Sequence, residues 1–195
     1  MRKLILKMSV SLDGFVSGPN GEVDWMFRGR SEDSTAWVLD TVRNAGLHAL
    51  GSKTFRALAD FWPTSTEPMA APMNDIPKVI FTRQKSFDNN LEASSAGNWA
   101  SARVANGDLT VEMNRLKEEP GNYILAQGGA GFARGLIQLG LVDEYRLVIH
   151  PVLLGSGIPI FSELQQPRYL NLISAPQFQS GLKAQVYRPE NVSSL

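Results

Sequence analysis

Short apolar runs bounded by turn residues divide the chain into segments that predict strands. The turn Leu12-Asp13-Gly14 closes the first run, and the tail predicts two antiparallel strands around Gln179-Ser180-Gly181. The predicted strands cover residues 3–10, 47–50, 78–82, 123–126 and 144–154, and two more lie within 170–187.

Stripes of apolar residues at helical spacing lie between several of these runs and predict three helices. The first helix has Asp33 or Ser34 as its expected N-cap and Gly46 as the left-handed residue that ends it. The second begins after Asp108, and the third ends at Gly140. The stripes are Val38, Leu39, Val42 and Ala45; Leu109, Met113 and Leu116; and Phe132, Ala133, Leu136 and Ile137.

Three stretches lack a regular apolar period. Residues 17–30 are rich in glycine, 61–77 contain four prolines, and 84–101 are polar and small, so we expect an irregular loop, an irregular excursion and a surface connection. Strands that alternate with helices predict a single α/β domain over residues 1–195. Its expected architecture is a mostly parallel central sheet with helices on both faces and an antiparallel C-terminal edge.

Composition excludes several classes of function. Lysine plus arginine and aspartate plus glutamate both number 19, so no positive field is available to attract nucleic acid. The absence of cysteine excludes disulfides, and two distant histidines do not predict a metal site. No apolar run approaches the roughly 20 residues that cross a bilayer. We therefore expect a soluble, cytoplasmic protein whose partner is a small molecule rather than nucleic acid or a membrane.

Two adjacent glycines follow the predicted strand 123–126. In open parallel sheets, ligands bind beyond the carboxyl ends of the strands. Because Gly128 and Gly129 lack β-carbons, backbone amides there and at Ala130 can approach a phosphate at the start of the next helix. The alternative is that the glycines serve only close packing of helix on strand.

Two further strand ends carry suitable chemistry for anions. The turn Gly51-Ser52-Lys53-Thr54 opens a helix with a hydroxyl and an ammonium beside free amides, which suits a diphosphate. Thr82 and Arg83 place a hydroxyl and a guanidinium where a further phosphate or an adenine ring can lie, which favours NADPH over NADH. For the 51–54 turn, the alternative is a capped helix start with a solvated lysine. For Arg83, the alternative is an ordinary surface arginine.

The common nucleotide and hydrolase motifs are absent. Arg134 occupies the position that a third glycine would need after Gly129 and Gly131, so the Rossmann fingerprint is not formed. No P-loop sequence occurs, and Gly155-Ser156-Gly157 lacks the spacing of a nucleophile elbow. The sequence therefore does not support a kinase, an NTPase or a hydrolase of the usual kinds.

Six blocks of sequence, in order, resemble the dihydrofolate reductase-like superfamily. The similar branch is the C-terminal reductase domain of bifunctional riboflavin-biosynthesis deaminase/reductases, and the resemblance extends from about residue 2 to about residue 188. The blocks are KMSVSLDG at 7–14 with EVDW at 22–25, LGSKTF at 50–55, PKVIFTR at 77–83, QGGA at 127–130, GLVDE at 140–144 and HPVLLGSGIPIF at 150–161.

The resemblance implies an oxidoreductase that binds NADPH. It implies that the diphosphate lies at the 51–54 turn and the double glycine, and that the adenosine phosphate lies near Thr82 and Arg83. It also implies that the nicotinamide lies beside the first strand, with the loop 14–30 closing over it. The reaction would be hydride transfer to a polarised C=N or C=O bond. Family members often form homodimers, and the strand Tyr145 to Leu154 is a candidate edge for one.

Two residues are candidates for the substrate side of the site. Asp13 is the expected catalytic residue, because burial at a strand end would raise its pKa enough to donate or relay a proton. The alternative is a turn aspartate. Trp25 is the expected substrate-binding residue, an aromatic wall for a planar heterocycle, unless it is a core residue. His150 is interpreted as a core histidine, and the acid role of folate reductases is not transferred to Asp40.

Departures from the family leave the substrate open. The deaminase half and its zinc-binding cysteines are missing, so we expect a free-standing reductase-like domain. The folate-recognition pattern is missing too, and no second basic cluster for a ribose phosphate is evident. The expected substrate is a small heterocyclic or carbonyl compound, with a riboflavin-pathway-like pyrimidine as one option. The rival hypothesis is a catalytically silent NADPH-binding module that acts as a sensor or interaction protein.

Overall fold

The computed structural model describes residues 1–87 and 97–190, and ten strands lie within these ranges. They are β1 (Leu4–Ser11), β2 (Phe15–Ser17), β3 (Leu47–Gly51), β4 (Lys78–Phe81), β5 (Arg103–Ala105), β6 (Ile124–Gln127), β7 (Glu144–His150), β8 (Ile158–Pro159), β9 (Leu170–Ser174) and β10 (Lys183–Pro189).

Eight of these strands form one sheet in the order β5-β4-β3-β6-β1-β7-β10-β9. The neighbours from β5 to β7 pair in parallel, whereas β10 is antiparallel to both β7 and β9. The remaining strands, β2 and β8, pair with each other. The predicted parallel sheet with an antiparallel C-terminal edge is confirmed.

Five α-helices within the described residues pack on the two faces of this sheet. They are α1 (Glu32–Arg43), α2 (Ser52–Phe61), α3 (Ala70–Asp75), α4 (Leu109–Glu118) and α5 (Ala130–Gln138). Because alternate strand residues point to opposite faces, Leu4 and Leu6 join the core under α4 and α5. Ile5 between them joins the core under α1, α2 and α3. No helix in the described part of the chain is both long and apolar enough to cross a membrane.

The two later predicted helix ends agree with the structure. Asp108 is the N-cap of α4, and its side chain accepts hydrogen bonds from the amides of Thr110 and Val111 at 2.9 and 3.0 Å. Gly140, at φ +70°, follows α5. The amide of Leu141 then donates to the carbonyl of Leu136 at 3.0 Å and closes the helix.

The ends of α1 differ from the prediction. Ser31, rather than Asp33 or Ser34, is the N-cap, although both predicted residues bond the first turn: Ser34 Oγ accepts from the Ser31 amide at 3.0 Å, and Asp33 accepts from the Ser34 amide at 2.8 Å. Gly46 is not the left-handed residue that ends the helix. A β-carbon on Gly46 would lie 2.9 Å from the amide nitrogen of Asn122, so close packing explains this glycine.

Two connecting segments contain more structure than expected, and strand β7 differs from its prediction. Residues 61–77 include a 3-10 turn at Trp62–Thr64 and helix α3. The segment 84–101 is not only a surface connection, because Trp99 is completely buried; residues 88–96 of it lie outside the described part. Strand β7 ends at His150 and is an interior strand between β1 and β10, so it is not the expected dimer edge. The homodimer itself stays a prediction.

Strand register brings five strand ends together along one edge of the sheet. Gly51 pairs with Phe81, Ala49 with Ala126, Lys7 with Gln127, and Ser11 with His150. The residues that follow β4, β3, β6, β1 and β7 are therefore neighbours in that order. The predicted anion-binding turns thus share one edge, although the first and the last, 51–54 and 128–130, are far apart in the sequence.

Candidate functional site

The double glycine lies directly against the first turn of α2. Gly128 and Gly129 have φ angles of +74° and +77°, a region that residues with a side chain rarely adopt. A β-carbon on Gly128 would lie 2.8 Å from Thr54 Cγ2, and one on Gly129 would lie 2.9 Å from Thr54 Oγ1. Glycine is therefore required at both positions by backbone conformation and by space.

The two helices that begin here have no side-chain cap. Gly51 is the N-cap of α2 and Gly129 is the N-cap of α5, and neither can accept a hydrogen bond from the first-turn amides. The starts of α1 and α4, by contrast, are bonded by Ser34, Asp33 and Asp108. Two adjoining helix N-termini without side-chain caps are a candidate site for anions such as phosphate, because first-turn amides there can donate to a ligand.

The other predicted anion-binding residues lie beside these helix starts. Thr82 and Arg83 directly follow Phe81, which pairs with Gly51, so they are next to the start of α2. The side chains of Lys53 and Arg83 are exposed and form no ion pair with another described residue. Thr82 Oγ1 accepts from the Gln84 amide at 3.1 Å. The geometry thus places all three predicted strand ends at one surface.

A cleft of about 520 Å³ opens beside the double glycine. It lies over β6, β1 and β7, between α1, α2 and the segment that holds the 3-10 turn Asp24–Phe27. Thr54 and Gly128 both line it, so the cleft is continuous with the anion site. Its volume is in the range of small-molecule sites. A second cleft of about 430 Å³, at Gln138 and residues 163–168, contains none of the predicted site residues.

Basic side chains line one end of the large cleft. Lys7 lies in the middle of β1, His150 at the end of β7, and Arg30 just before α1. Burial, with a contribution from Arg30, lowers the pKa of Lys7 to about 8. Burial, together with Lys7 and Arg30, lowers the pKa of His150 to about 4, so the imidazole is neutral at pH 7.

Unpartnered buried nitrogens cluster at this cleft. Both ring nitrogens of His150 lack a hydrogen-bond partner among the described residues, as does Nε1 of Trp62, which also lines the cleft. Nε1 of Trp25 is unpartnered too, and its ring meets that of His150 edge-on at 5.1 Å between centroids. Buried polar groups normally have partners, so this concentration of exceptions is typical of a ligand site.

Gln127 is a lining residue that the sequence did not reveal as functional. Its Nε2 lies 3.0 Å from His48 Nδ1 and 3.2 Å from Met73 Sδ. Burial, with a smaller effect of Lys78, lowers the pKa of His48 to about 3, so this histidine is also neutral. The neutral imidazole therefore holds the Gln127 amide in place beside Gly128.

Asp13 differs from its expected environment. The carboxylate is exposed and accepts hydrogen bonds from the amides of Leu154 at 3.0 Å and Gly155 at 2.8 Å, and from Ser11 Oγ at 2.6 Å. The Ser11 hydroxyl first, and the two amides after it, lower the pKa of Asp13, so the expected buried carboxyl with a raised pKa is wrong. In this structure Asp13 joins the end of β1 to the segment after β7.

The structure also changes the expected roles of Trp25 and His150. Trp25 is not among the residues that line the cleft, but it packs against His150, which does line it. His150 therefore belongs to the candidate site, contrary to its interpretation as a core histidine. Asp40 is exposed, accepts a hydrogen bond from Asn44 and does not line the cleft. The sequence alone could not identify His150 as a site residue, because Lys7 and Arg30 come close to it only in the folded structure.

Comparison with known proteins identifies the family. The family model of the RibD C-terminal domain matches residues 2–184. The chain belongs to the RibD C-terminal domain family. The chain is also similar to YyaP, an uncharacterized protein of Bacillus subtilis (strain 168), with 34% identity over 192 residues covering 95% of this chain and 94% of YyaP.

Solved structures confirm the dihydrofolate reductase-like fold of this RibD C-terminal domain. The diaminohydroxyphosphoribosylaminopyrimidine deaminase/5-amino-6-(5-phosphoribosylamino)uracil reductase of Thermotoga maritima superposes with a TM-score of 0.66 at 16% identity, covering 97% of this chain and 57% of that one. Dihydrofolate reductase from Enterococcus faecalis complexed with NADP(H) gives 0.64 at 12% identity, covering 97% of each chain. Relatives in family and fold are reductases, which supports a reductase-type function here.

Substitution of the glycines tests the close approach between the double glycine and Thr54 in this RibD C-terminal domain. We expect Gly129→Ala to lower the free energy of unfolding by about 1–2 kcal/mol, because alanine is strained at positive φ and its β-carbon would meet Thr54. The matched control is Gly131→Ala, whose β-carbon meets nothing within 4 Å and which should be neutral or stabilising. Urea unfolding measures both, and equal stability of the two variants would contradict the close approach.

Acid should destabilise the fold through its two histidines. Their pKa values in the fold, about 4 for His150 and about 3 for His48, are below the ordinary 6.5, so protons bind the unfolded chain more readily. The free energy of unfolding therefore has its full value above pH 6.5. Below that pH it falls by about 1.4 kcal/mol per pH unit for each histidine. The two histidines together give twice this slope, and urea titrations from pH 7 to 4.5 should show that combined slope reduced by half in His150→Phe. An unchanged slope would mean that His150 titrates normally.

Proposed function

We propose that the protein is an NADPH-dependent reductase that transfers hydride to a small heterocyclic or carbonyl compound. The observation that supports this most strongly is the junction of two uncapped helix N-termini at Gly128, Gly129 and Thr54, next to a cleft of about 520 Å³. An anion site continuous with a cleft suits a ligand in which a diphosphate is joined to a flat reactive ring.

The residues at the strand ends fit such a cofactor. The amides of 52–54 and 128–130 would bind the diphosphate, assisted by the Lys53 ammonium. Thr82, which is partly buried, and Arg83, which is exposed, lie beside them and would bind the adenosine phosphate. NADPH supplies the hydride when bound, and the protein's own contribution is to align the acceptor, exclude water and stabilise developing charge.

The cleft provides the expected setting for the acceptor. Its lining combines apolar side chains such as Met8 and Val148 with a few polar groups, as small-molecule sites do. The segment 24–30 covers one side, and Trp25 contributes through its contact with His150 rather than as the expected wall. A substrate that lies here would be next to Gly128 and hence to the proposed cofactor.

Cofactor binding can be measured by thermal shift. A ligand at 100 times its Kd stabilises the fold by about 2.7 kcal/mol, and we expect NADPH to stabilise more than NADH. Arg83→Gln should reduce this preference because the guanidinium pairs with the extra phosphate. The control is Lys85→Gln, an equal loss of charge two residues further along. The proposal fails if neither nucleotide stabilises the protein.

An acceptor screen separates an enzyme from a silent module. Oxidation of NADPH by aldehydes, ketones or cyclic imines supports a reductase, whereas binding without turnover of any acceptor supports the rival hypothesis of a sensor. A ribosylaminopyrimidine phosphate should be among the acceptors, because activity on it would assign a riboflavin-type reaction.

Asp13→Asn tests the expected catalytic role within this screen. We expect only a small loss of stability, because charge-assisted hydrogen bonds to Leu154 and Gly155 weaken, and NADPH affinity should be retained. A fall in turnover larger than the loss of folded protein would support a catalytic Asp13. Turnover equal to that of the original protein would remove Asp13 from the mechanism. Asp24→Asn is the control in the neighbouring loop.

A further inference from the structure

One part of the large cleft is lined almost entirely by apolar side chains. They come from α2, from the 3-10 turn that follows it and from the region of α3, and they are Leu58, Phe61, Trp62, Met69 and Met73. We call this part the apolar arm. Among the described lining residues from 54 to 73, the one charged side chain is that of Glu67, which is exposed. The arm therefore lacks the cations that line the basic end of the cleft.

Phe61 leaves part of the apolar arm accessible to solvent. Leu58 and Phe61 are three residues apart on α2, so they share one face of this helix. The side chain of Phe61 is 48% exposed, and its ring meets that of Trp62 edge-on at 4.9 Å between centroids. Accessible apolar surface in a concave site is typical of ligand binding.

Hydrogen bonds from α3 fix the wall that Trp62 forms. Asn74 Nδ2 donates to the carbonyl oxygen of Trp62 at 3.0 Å, and Asn74 Oδ1 accepts from Trp99 Nε1 at 2.8 Å. The carbonyl oxygen of Asn74 also accepts from the ammonium of the buried Lys78 at 3.2 Å. A wall held in this way is formed before a ligand arrives, so binding costs little free energy of ordering.

The apolar arm is continuous with the junction of the two helix N-termini. Thr54, which contacts the double glycine, and Leu58 are four residues apart and lie on the same face of α2. At the other side, Gln127 Nε2 donates to Met73 Sδ at 3.2 Å, and Gln127 directly precedes Gly128. A molecule whose reactive atoms lie beside Gly128 can therefore extend into the arm.

We propose that the acceptor reduced by this protein carries an uncharged aromatic ring, and that this ring binds in the apolar arm. The assignment deepens the proposed function, and its place in a reduction rests on that function. It narrows the substrate to a compound that is apolar at the end remote from its reducible bond. A sugar phosphate is not the group that the arm takes.

The chemistry of the lining favours a neutral ring over a charged group. Met69 and Met73 are flexible side chains whose sulfur atoms make favourable contacts with ring edges, and Phe61 and Trp62 pack well against another ring. The carboxylate of Glu67 would repel a phosphate or carboxylate bound beside it. Trp62 Nε1 is buried without a partner among the described residues, so one donor is left for a neutral oxygen on the ring.

Three methyl ketones test the apolar arm. Benzylacetone has a phenyl ring, its para-carboxylate has the same ring with a negative charge at the far end, and butanone has no ring. Calorimetric titration of the full chain, with and without NADP⁺, should give a Kd for benzylacetone at least about tenfold below those of the other two. The proposal is overturned if the para-carboxylate binds as tightly as benzylacetone, or if benzylacetone binds no better than butanone.

A pair of phenylalanine variants locates the ring within the cleft. Phe61→Ala should weaken the binding of benzylacetone about fivefold or more, because the ring loses apolar contact area. Phe161→Ala is the matched control: Phe161 is 42% exposed against 48% for Phe61 and does not line the cleft. Equal weakening in the two variants would place the ring outside the arm and refute the proposal.

Glu67→Gln tests the exclusion of anions from the arm. This variant should strengthen the binding of the para-carboxylate and leave the Kd of benzylacetone unchanged. Glu118→Gln is the control, since Glu118 is an exposed carboxylate of α4 that does not line the cleft. If the para-carboxylate gains nothing from Glu67→Gln, or gains as much from Glu118→Gln, the carboxylate of Glu67 does not select a neutral ligand.

Two further measurements separate this proposal from its alternatives. NADPH titration of the unaltered protein keeps it apart from the proposed function: a preference for benzylacetone without NADPH binding refutes the cofactor alone, and NADPH binding without the preference refutes the ring alone. Light scattering tests whether a second copy of the chain covers the arm. A lower molar mass of Phe61→Ala, together with no preference among the ketones, would assign the arm to a contact between copies and overturn the proposal.

Discussion

The close approach between Thr54 and the double glycine is the constraint on which the candidate site depends. Gly128 and Gly129 adopt positive φ angles, and their missing β-carbons leave room for the first turn of α2. Two helix N-termini without caps therefore meet at one point of the sheet edge. Any side chain at either glycine would separate these helices and would block the amides that are proposed to bind phosphate.

The cleft beside this junction owes its character to groups that the protein leaves without partners. Lys7, Arg30 and His150 are all directed to one end of it, and the two histidines of the chain are neutral because burial disfavours their charged forms. The buried carboxylate of Glu144, by contrast, is paired with both Arg146 and Arg188. The contrast between this paired charge and the unpartnered groups of the cleft supports binding of a polar ligand there.

Much of the fold followed from local patterns, and much of the site did not. The Asp108 cap and the Gly140 ending depend on residues within a few positions, so sequence reasoning placed them correctly. The role of Gly46 was misread because the backbone that crowds it, at Asn122, is distant in sequence. Asp13 was misread for the same reason, since the amides that lower its pKa belong to Leu154 and Gly155.

The sequence by itself determined the longer strands of the central sheet and their order along the chain, the family resemblance and the two glycine turns, because each of these depends on neighbouring residues. Only the tertiary structure decided that those two turns adjoin each other and the end of β4, that Lys7, Arg30 and His150 share one cleft, and that Asp13 is exposed. The physical reason is that burial, charge compensation and hydrogen-bond partners depend on residues brought together by strand pairing across the sheet, which no local pattern records.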